Sequence, residues 1–296
     1  MSPYLKALLQ ELKNFKPLFL SPDVLEQLDV KALEVSLTSE NELDFNPCFF
    51  RPPPDSLVEN HLSAEAEEDP QSPLHCPSIW DIIDHDPSHP FHAILEKMEG
   101  GTEFCHIPEY QQLDIDDKDD FDGEFDPDFN VTSIENEFWN IVDMIEVDNG
   151  KEMWRPRHKE NDPALHGGYP WRRWIIHRYI GQPHSTMTCH SYAYMTDVNK
   201  GLTKDELMAI VSMILVRLNH KNHKSFRRSK VHPILLFTFF GGQVARMTQA
   251  TFDGRDLALQ YSPLWRVTGS DSMAMKLLVR YGLSKAVDGT CGPPIG

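Results

Sequence analysis

Residues 232–265 read HPILLFTFFGGQVARMTQATFDGRDLALQYSPLW, three β-compatible runs separated by Gly241-Gly242 and Asp253-Gly254. Both dipeptides suit primed hairpin turns, which need positive φ. The pattern predicts three consecutive antiparallel strands. Val231 to Phe240 is almost wholly apolar, so the first strand is expected to be covered on both faces. Two-residue turns would set Thr238 opposite Ala245 and Leu236 opposite Met247. In the second hairpin they would set Arg246 opposite Tyr261, Thr248 opposite Leu259 and Ala250 opposite Leu257.

The flanking sequence extends this meander into an α+β module. WRRWIIHRYIG and STMTCHSYAYMTDV read as strands, and in the second Thr186, Thr188, His190, Tyr192 and Tyr194 alternate with Met187, Cys189, Ser191, Ala193 and Met195. GLTKDELMAIVSMILVRL reads as a helix. Thr203 and Glu206 form a T-x-x-E capping box at its start, and Leu207, Ile210, Val211, Ile214 and Leu218 share one face. Residues 171–267 are thus expected to form an antiparallel β-sheet with this helix packed on one face. Two further amphipathic helices are expected. One carries Leu5, Leu8, Leu9 and Leu12; the other, SIENEFWNIVDMIEV, carries Ile134, Phe138, Ile141, Val142 and Ile145.

Charge divides the 296-residue chain near residue 150. Residues 1–150 hold 7 Lys+Arg against 35 Asp+Glu, a net of −28, and residues 151–296 hold 21 against 10, a net of +11. We read 1–150 as an acidic, helical and partly irregular region and 151–296 as the α+β module. The two halves either pair electrostatically or face different partners. Pairing would wrap part of residues 45–130 around the basic module, with phenylalanines docked. The proline- and acid-rich stretch from Asn46 to Ser78 shows no period, and Phe121, Phe125 and Phe129 punctuate the acid-dense run before residue 130. That run is no EF-hand. With Gly123 at the sixth position, Lys118 and Phe129 occupy the first and last ligand positions.

Several function classes lose support. His85, His89 and His92 lie among Asp84 and Asp86, but Pro87 and Pro90 break any helix that would align them, and no metal is expected. No GxGxxG, P-loop or GxSxG occurs, so nucleotide, flavin and serine-hydrolase readings fall away, and no cofactor is expected. Cys189 and His190 are neighbours on a strand and point to opposite faces, so they make no dyad. The basic loop HKNHKSFRRSK could meet phosphates, but a net charge of −17 argues against nucleic acid. No apolar run reaches the ~18 residues of a membrane span, and Lys6, Glu11, Lys13 and Lys16 interrupt any signal-like core. Five cysteines without a CxxC pair suit free thiols in a reducing, cytoplasmic compartment.

Arg246 is the residue that most needs an explanation. The expected registers place it beside Phe237, Phe239, Val244 and Tyr261, where a guanidinium needs either a protein carboxylate or a ligand oxygen. We read Arg246 and Tyr261 as candidate catalytic residues. Phe237, Phe239, His190 and Tyr192 are candidate substrate contacts, with Gln249 and Gln260 available from the other face.

Pro233, Leu235, Phe239, Arg246, Gln249, Ala250, Asp253, Gly254, Leu257, Ser262 and Leu264 together resemble the signature of a group of filamentous-ascomycete fungal proteins. The resemblance covers residues 202 to about 267. It implies a soluble fungal protein, and some members sit beside secondary-metabolite biosynthetic genes. The function expected is a cofactor-free isomerase or cyclase acting on a small molecule, with a Diels–Alder-type cyclisation as one form. The alternative is a binding or adaptor protein that uses its acidic arm and basic loop. Oligomeric state is not legible.

Overall fold

The computed structural model describes residues 2–60, 134–135, 138–143, 145, 151–153, 176–194, 201–219, 229–241, 244–267 and 272–288. Among these the chain is α+β, as expected. It opens with α1 (Pro3–Asn14), β1 (Phe19–Leu20), α2 (Pro22–Gln27), β2 (Val30–Glu34) and β3 (Phe50–Arg51). The acid-dense run, the His85–His92 cluster, most of the basic loop, and Cys76, Cys105 and Cys291 lie outside the described residues.

After residue 150 come β4 (Lys151–Met153), β5 (Ile176–Tyr179), β6 (Ser185–Tyr194), β7 (Leu202–Thr203) and α3 (Lys204–Asn219). Then follow β8 (His232–Gly241), β9 (Val244–Phe252), β10 (Leu257–Tyr261), β11 (Trp265–Arg266), α4 (Met273–Gly282) and β12 (Lys285–Ala286). The main sheet has the order β2-β10-β9-β8-β6-β5-β4, with β11 also paired to β9. The expected antiparallel pairing holds through β5–β6 and β8–β9–β10, and β4, outside the expected range, adds an antiparallel partner to β5. Two junctions are parallel, β6 with β8 and β2 with β10. The first follows from α3, which carries the chain back across one face before β8 begins, as parallel neighbours require.

Helices cover both faces. On the first face α1 and α3 enclose Leu5, Leu9, Leu12, Leu207, Ile210, Ile214, Leu236 and Leu259. All four leucines of α1 are buried, and Ser2 caps that helix by accepting from Leu5 N. α3 is buried beyond its expected stripe, at Met208, Ala209, Ser212, Met213 and Leu215, whereas Leu218 is only partly buried. Its position between sheet and α1 leaves it little solvent face. On the second face Ile134, Phe138, Ile141, Val142 and Ile145 pack with α4 and with Phe45, Phe49 and Phe50. Two arms of the acidic half pair with strands from beyond residue 250, β2 with β10 and β3 with β12.

The registers differ from expectation. Phe240 pairs with Val244, so three residues, 241–243, join β8 to β9. Thr238 therefore opposes Arg246, and Leu236 opposes Thr248. One added residue reverses every side chain relative to the partner strand. Arg246 consequently shares its face with Leu236, Thr238 and Val244, not with Phe237 and Phe239. In the second hairpin Phe252 pairs with Leu257, so the loop has four residues and Tyr261 opposes Thr248, not Arg246. Asp253 Oδ1 accepts from Arg255 N and Asp256 N at 2.8 Å each, a side-chain-closed turn that uses two residues more than a primed hairpin. Gly254 takes φ +98°, the positive value its position demands.

Candidate functional site

The capping box of α3 explains Arg246. Glu206 Oε2 accepts from Thr203 N and Thr203 Oγ1, each at 2.9 Å, which closes the box. The same oxygen lies 3.0 Å from Arg246 Nη2, and Arg246 Nη2 also donates to Gly201 O at 3.1 Å. Thr238 Oγ1 donates to Glu206 Oε1. Both charged side chains are fully buried. The guanidinium carbon lies 5.3 Å from the Phe240 ring centre and 5.4 Å from that of Tyr261, within reach of their π faces. The partner carboxylate thus belongs to the basic half.

Gln249 and Gln260 hold backbone. Gln249 Oε1 accepts from Phe49 N at 2.9 Å while its Nε2 donates to Pro47 O at 2.8 Å. Gln260 accepts from Asn46 N and donates to Asn46 O. The two amides fasten residues 46–49 across the second face.

That face carries a different constellation. β6 directs Thr186, Thr188 and His190 to one side, because alternate residues of a strand share a face. His190 Nε2 lies 2.5 Å from Glu135 Oε2, and Thr188 Oγ1 donates to Glu135 Oε1. Glu135 and His190 retain only 3% and 5% of their side-chain surface. Phe138, one turn beyond Glu135, packs on Phe237 and Phe239, and Phe239 meets the edge of the His190 ring. The candidate contacts Phe237, Phe239 and His190 are therefore brought together, on the face opposite Arg246 and Tyr261. Tyr192 lies on β6, but its side chain is outside the described atoms.

Farther along the ribbon His177 pairs with Thr186 across β5–β6, and Trp139 lies over the His177 ring with centres 4.5 Å apart. Thr186 Oγ1, His177 Nδ1 and Trp139 Nε1 are buried and have no hydrogen-bond partner among the described residues. Burial pulls the His177 imidazole down to about 4, helped by the charge of Lys151, so it is neutral at neutral pH. Burial likewise takes His184 down to about 4 and the Lys151 amine to about 7. Cys189 faces the other core, where burial first and then nearby carboxylates raise its thiol well above the usual range. Cys189 and His190 are thus separated by the sheet, as expected.

No protein-family model matches this chain, and neither does any curated protein or solved structure.

Sequence reasoning missed Glu135, Thr186, His177 and Trp139 as site residues. Glu135 had a signal. It precedes Phe138 and Val142 by three and seven residues, which places a carboxylate on the helix face that docks. Its partner lies 55 positions later, and no local pattern links the two.

Among the described residues no group of three or more His, Cys, Asp or Glu side chains is arranged to hold a metal ion. No described helix is long and apolar enough to cross a membrane.

Proposed function

We propose that the protein is a cofactor-independent isomerase or cyclase acting on a small molecule, with His190 as the proton-transferring base and Glu135 as the residue that orients it. The observation that carries this reading is the buried contact of His190 Nε2 with Glu135 Oε2. A buried carboxylate this close to one ring nitrogen restrains the orientation of the imidazole. A base held in this way can take a proton from carbon and return it elsewhere on the same molecule. Phe237 and Phe239 supply apolar surface beside the ring, suited to holding one reactive conformer. Arg246 and Tyr261 take the scaffold role, since Glu206 already occupies the guanidinium. The resemblance to filamentous-ascomycete proteins supports a substrate from secondary metabolism.

An isomerase leaves a distinctive trace when it fails, because its substrate and product have the same mass. Replacing the chromosomal gene with His190→Gln or Glu135→Gln, and profiling metabolites, should replace one compound by an isobaric one of different retention time. An unchanged profile, with the variant chain folded and present at normal level, would favour the adaptor reading, which the −28/+11 charge division supports.

A further inference from the structure

The proposal above leaves Thr186 Oγ1, His177 Nδ1 and Trp139 Nε1 unused. A buried polar atom without a partner costs about 1–3 kcal/mol, and these three, unpartnered among the described residues, lie in one neighbourhood. Their chemistry is unequal. Trp139 Nε1 can only donate, Thr186 Oγ1 can donate, and the neutral His177 ring has one donor and one acceptor nitrogen. Each belongs to a different element, respectively the helical residues 138–143, β6 and β5. Thr186 and His177 are direct partners across the ladder, and the Trp139 ring lies tilted against His177, with centres 4.5 Å apart. The strand that carries Thr186 also carries His190, on the same face.

We infer that Trp139 Nε1, Thr186 Oγ1 and His177 form a cradle for a carbonyl oxygen of the substrate, which becomes an enolate oxygen when His190 removes a proton. This rests on the reading of His190 as the base. It names the substrate class as an extended conjugated carbonyl compound. At ~3.4 Å per strand residue, the Cα atoms of Thr186 and His190 lie ~14 Å apart. That separation exceeds a single keto–enol unit, so the carbon that loses the proton is joined to the carbonyl through conjugated double bonds. The bookkeeping closes within one molecule. The C–H bond breaks, its proton passes to the His190 ring, and its electron pair moves through the conjugated chain to the oxygen. The resulting imidazolium, beside Glu135, then returns the proton to a different carbon and yields an isomer. No oxidant, reductant or co-reactant enters. Donors fixed in a water-poor site stabilise the developing oxyanion without reorganising.

The test uses the full chain and p-nitrophenol, whose phenolate imitates an enolate oxygen on a conjugated frame and reports binding by its absorbance. The wild-type protein should bind the phenolate and shift its spectrum. Trp139→Phe, which keeps the ring, and Thr186→Val, which keeps the shape, should each weaken binding by about tenfold or more, as expected for a hydrogen bond to a charged oxygen. The indole N–H resonance of Trp139, assigned by its loss in Trp139→Phe, should move on titration of the wild-type chain, a readout that requires no variant to fold. A wild-type spectrum that p-nitrophenol leaves unchanged, an unmoved indole resonance, or wild-type affinity in both cradle variants would overturn the inference. The two failures are separable. Normal product formation by His190→Gln, alongside phenolate binding that depends on Trp139 and Thr186, sinks the proton-transfer reading alone. A metabolite defect in His190→Gln with no phenolate binding by wild type sinks the cradle alone.

Discussion

Arg246 has no solvent-exposed surface, and its charge is met by Glu206 inside the core. Removing one member of such a pair strands the other in a medium that cannot solvate it. Arg246→Met keeps the length and apolar stem but leaves the Glu206 carboxylate without its cation. We expect a loss of ~3–5 kcal/mol, and at ~2–4 °C per kcal/mol a fall in Tm of about 10 °C. Arg246→Lys keeps the charge and should fall less. Differential scanning calorimetry distinguishes the scaffold role from a ligand role. A ligand-serving arginine would leave Arg246→Met with a near-normal Tm. The capping box was legible, because T-x-x-E is a local pattern. That the same carboxylate also receives a guanidinium was not, since it depends on β9 lying against the start of α3.

Elements meet closely at Gly282. A methyl group placed there would come within 2.7 Å of Val142 Cγ2 and 2.9 Å of Phe138 Cζ. Ala is the better helix former, so propensity alone predicts that Gly282→Ala stabilises the protein by ~1 kcal/mol. The contacts decide the sign the other way. Overpacking of this kind typically costs ~1–3 kcal/mol, and here it pushes on the helical residues 138–143, close in sequence to Glu135. We expect Gly282→Ala to lower the urea midpoint and to displace the Glu135–His190 contact, seen as a change in the His190 ring chemical shifts. Elements with a strong internal period were readable from sequence: α1 from its four leucines, α3 from its cap, and β8 from its apolar run. What failed was the register of the hairpins and the two parallel joins. The Gly241-Gly242 signal located the turn but not its length, and one extra residue exchanged the partners of Arg246. The parallel joins of β6 with β8 and β2 with β10 leave no local trace, because each is created by packing between distant segments.

Proton uptake couples the whole molecule to pH. His177, His184 and His232 are each held near 4 by burial, against an ordinary value of 6.5. As pH falls from 6.5 to about 4, the unfolded chain binds protons at these rings that the folded chain does not, and stability declines. Asp205 works in the opposite sense. Burial lifts its carboxyl to about 6 from 3.8, so it favours the folded state as pH falls. Lys151, lowered to about 7 from 10.5, costs stability as pH falls between those values, a change already complete above this window. Burial raises the Glu42 carboxyl too, but the three rings, each displaced further, outweigh these two carboxyls and leave a net loss as pH falls. Urea titrations at pH 7 and pH 4.5 should show the lower midpoint at pH 4.5, and His184→Gln should reduce the difference. Equal midpoints would contradict the burial of these rings.

The pairing of β2 with β10, and of β3 with β12, has a consequence for synthesis. A ribosome delivers the chain in order, so β2 and the Phe45–Phe50 segment emerge long before the strands that cover them. Until β10 and β12 leave the exit tunnel, Val30, Phe45, Phe49 and Phe50 have no completed layer to enter. Pairings between distant segments are slow to close, and exposed apolar strands are prone to associate in the interval. The nascent protein therefore carries these apolar segments uncovered until its last strand is made.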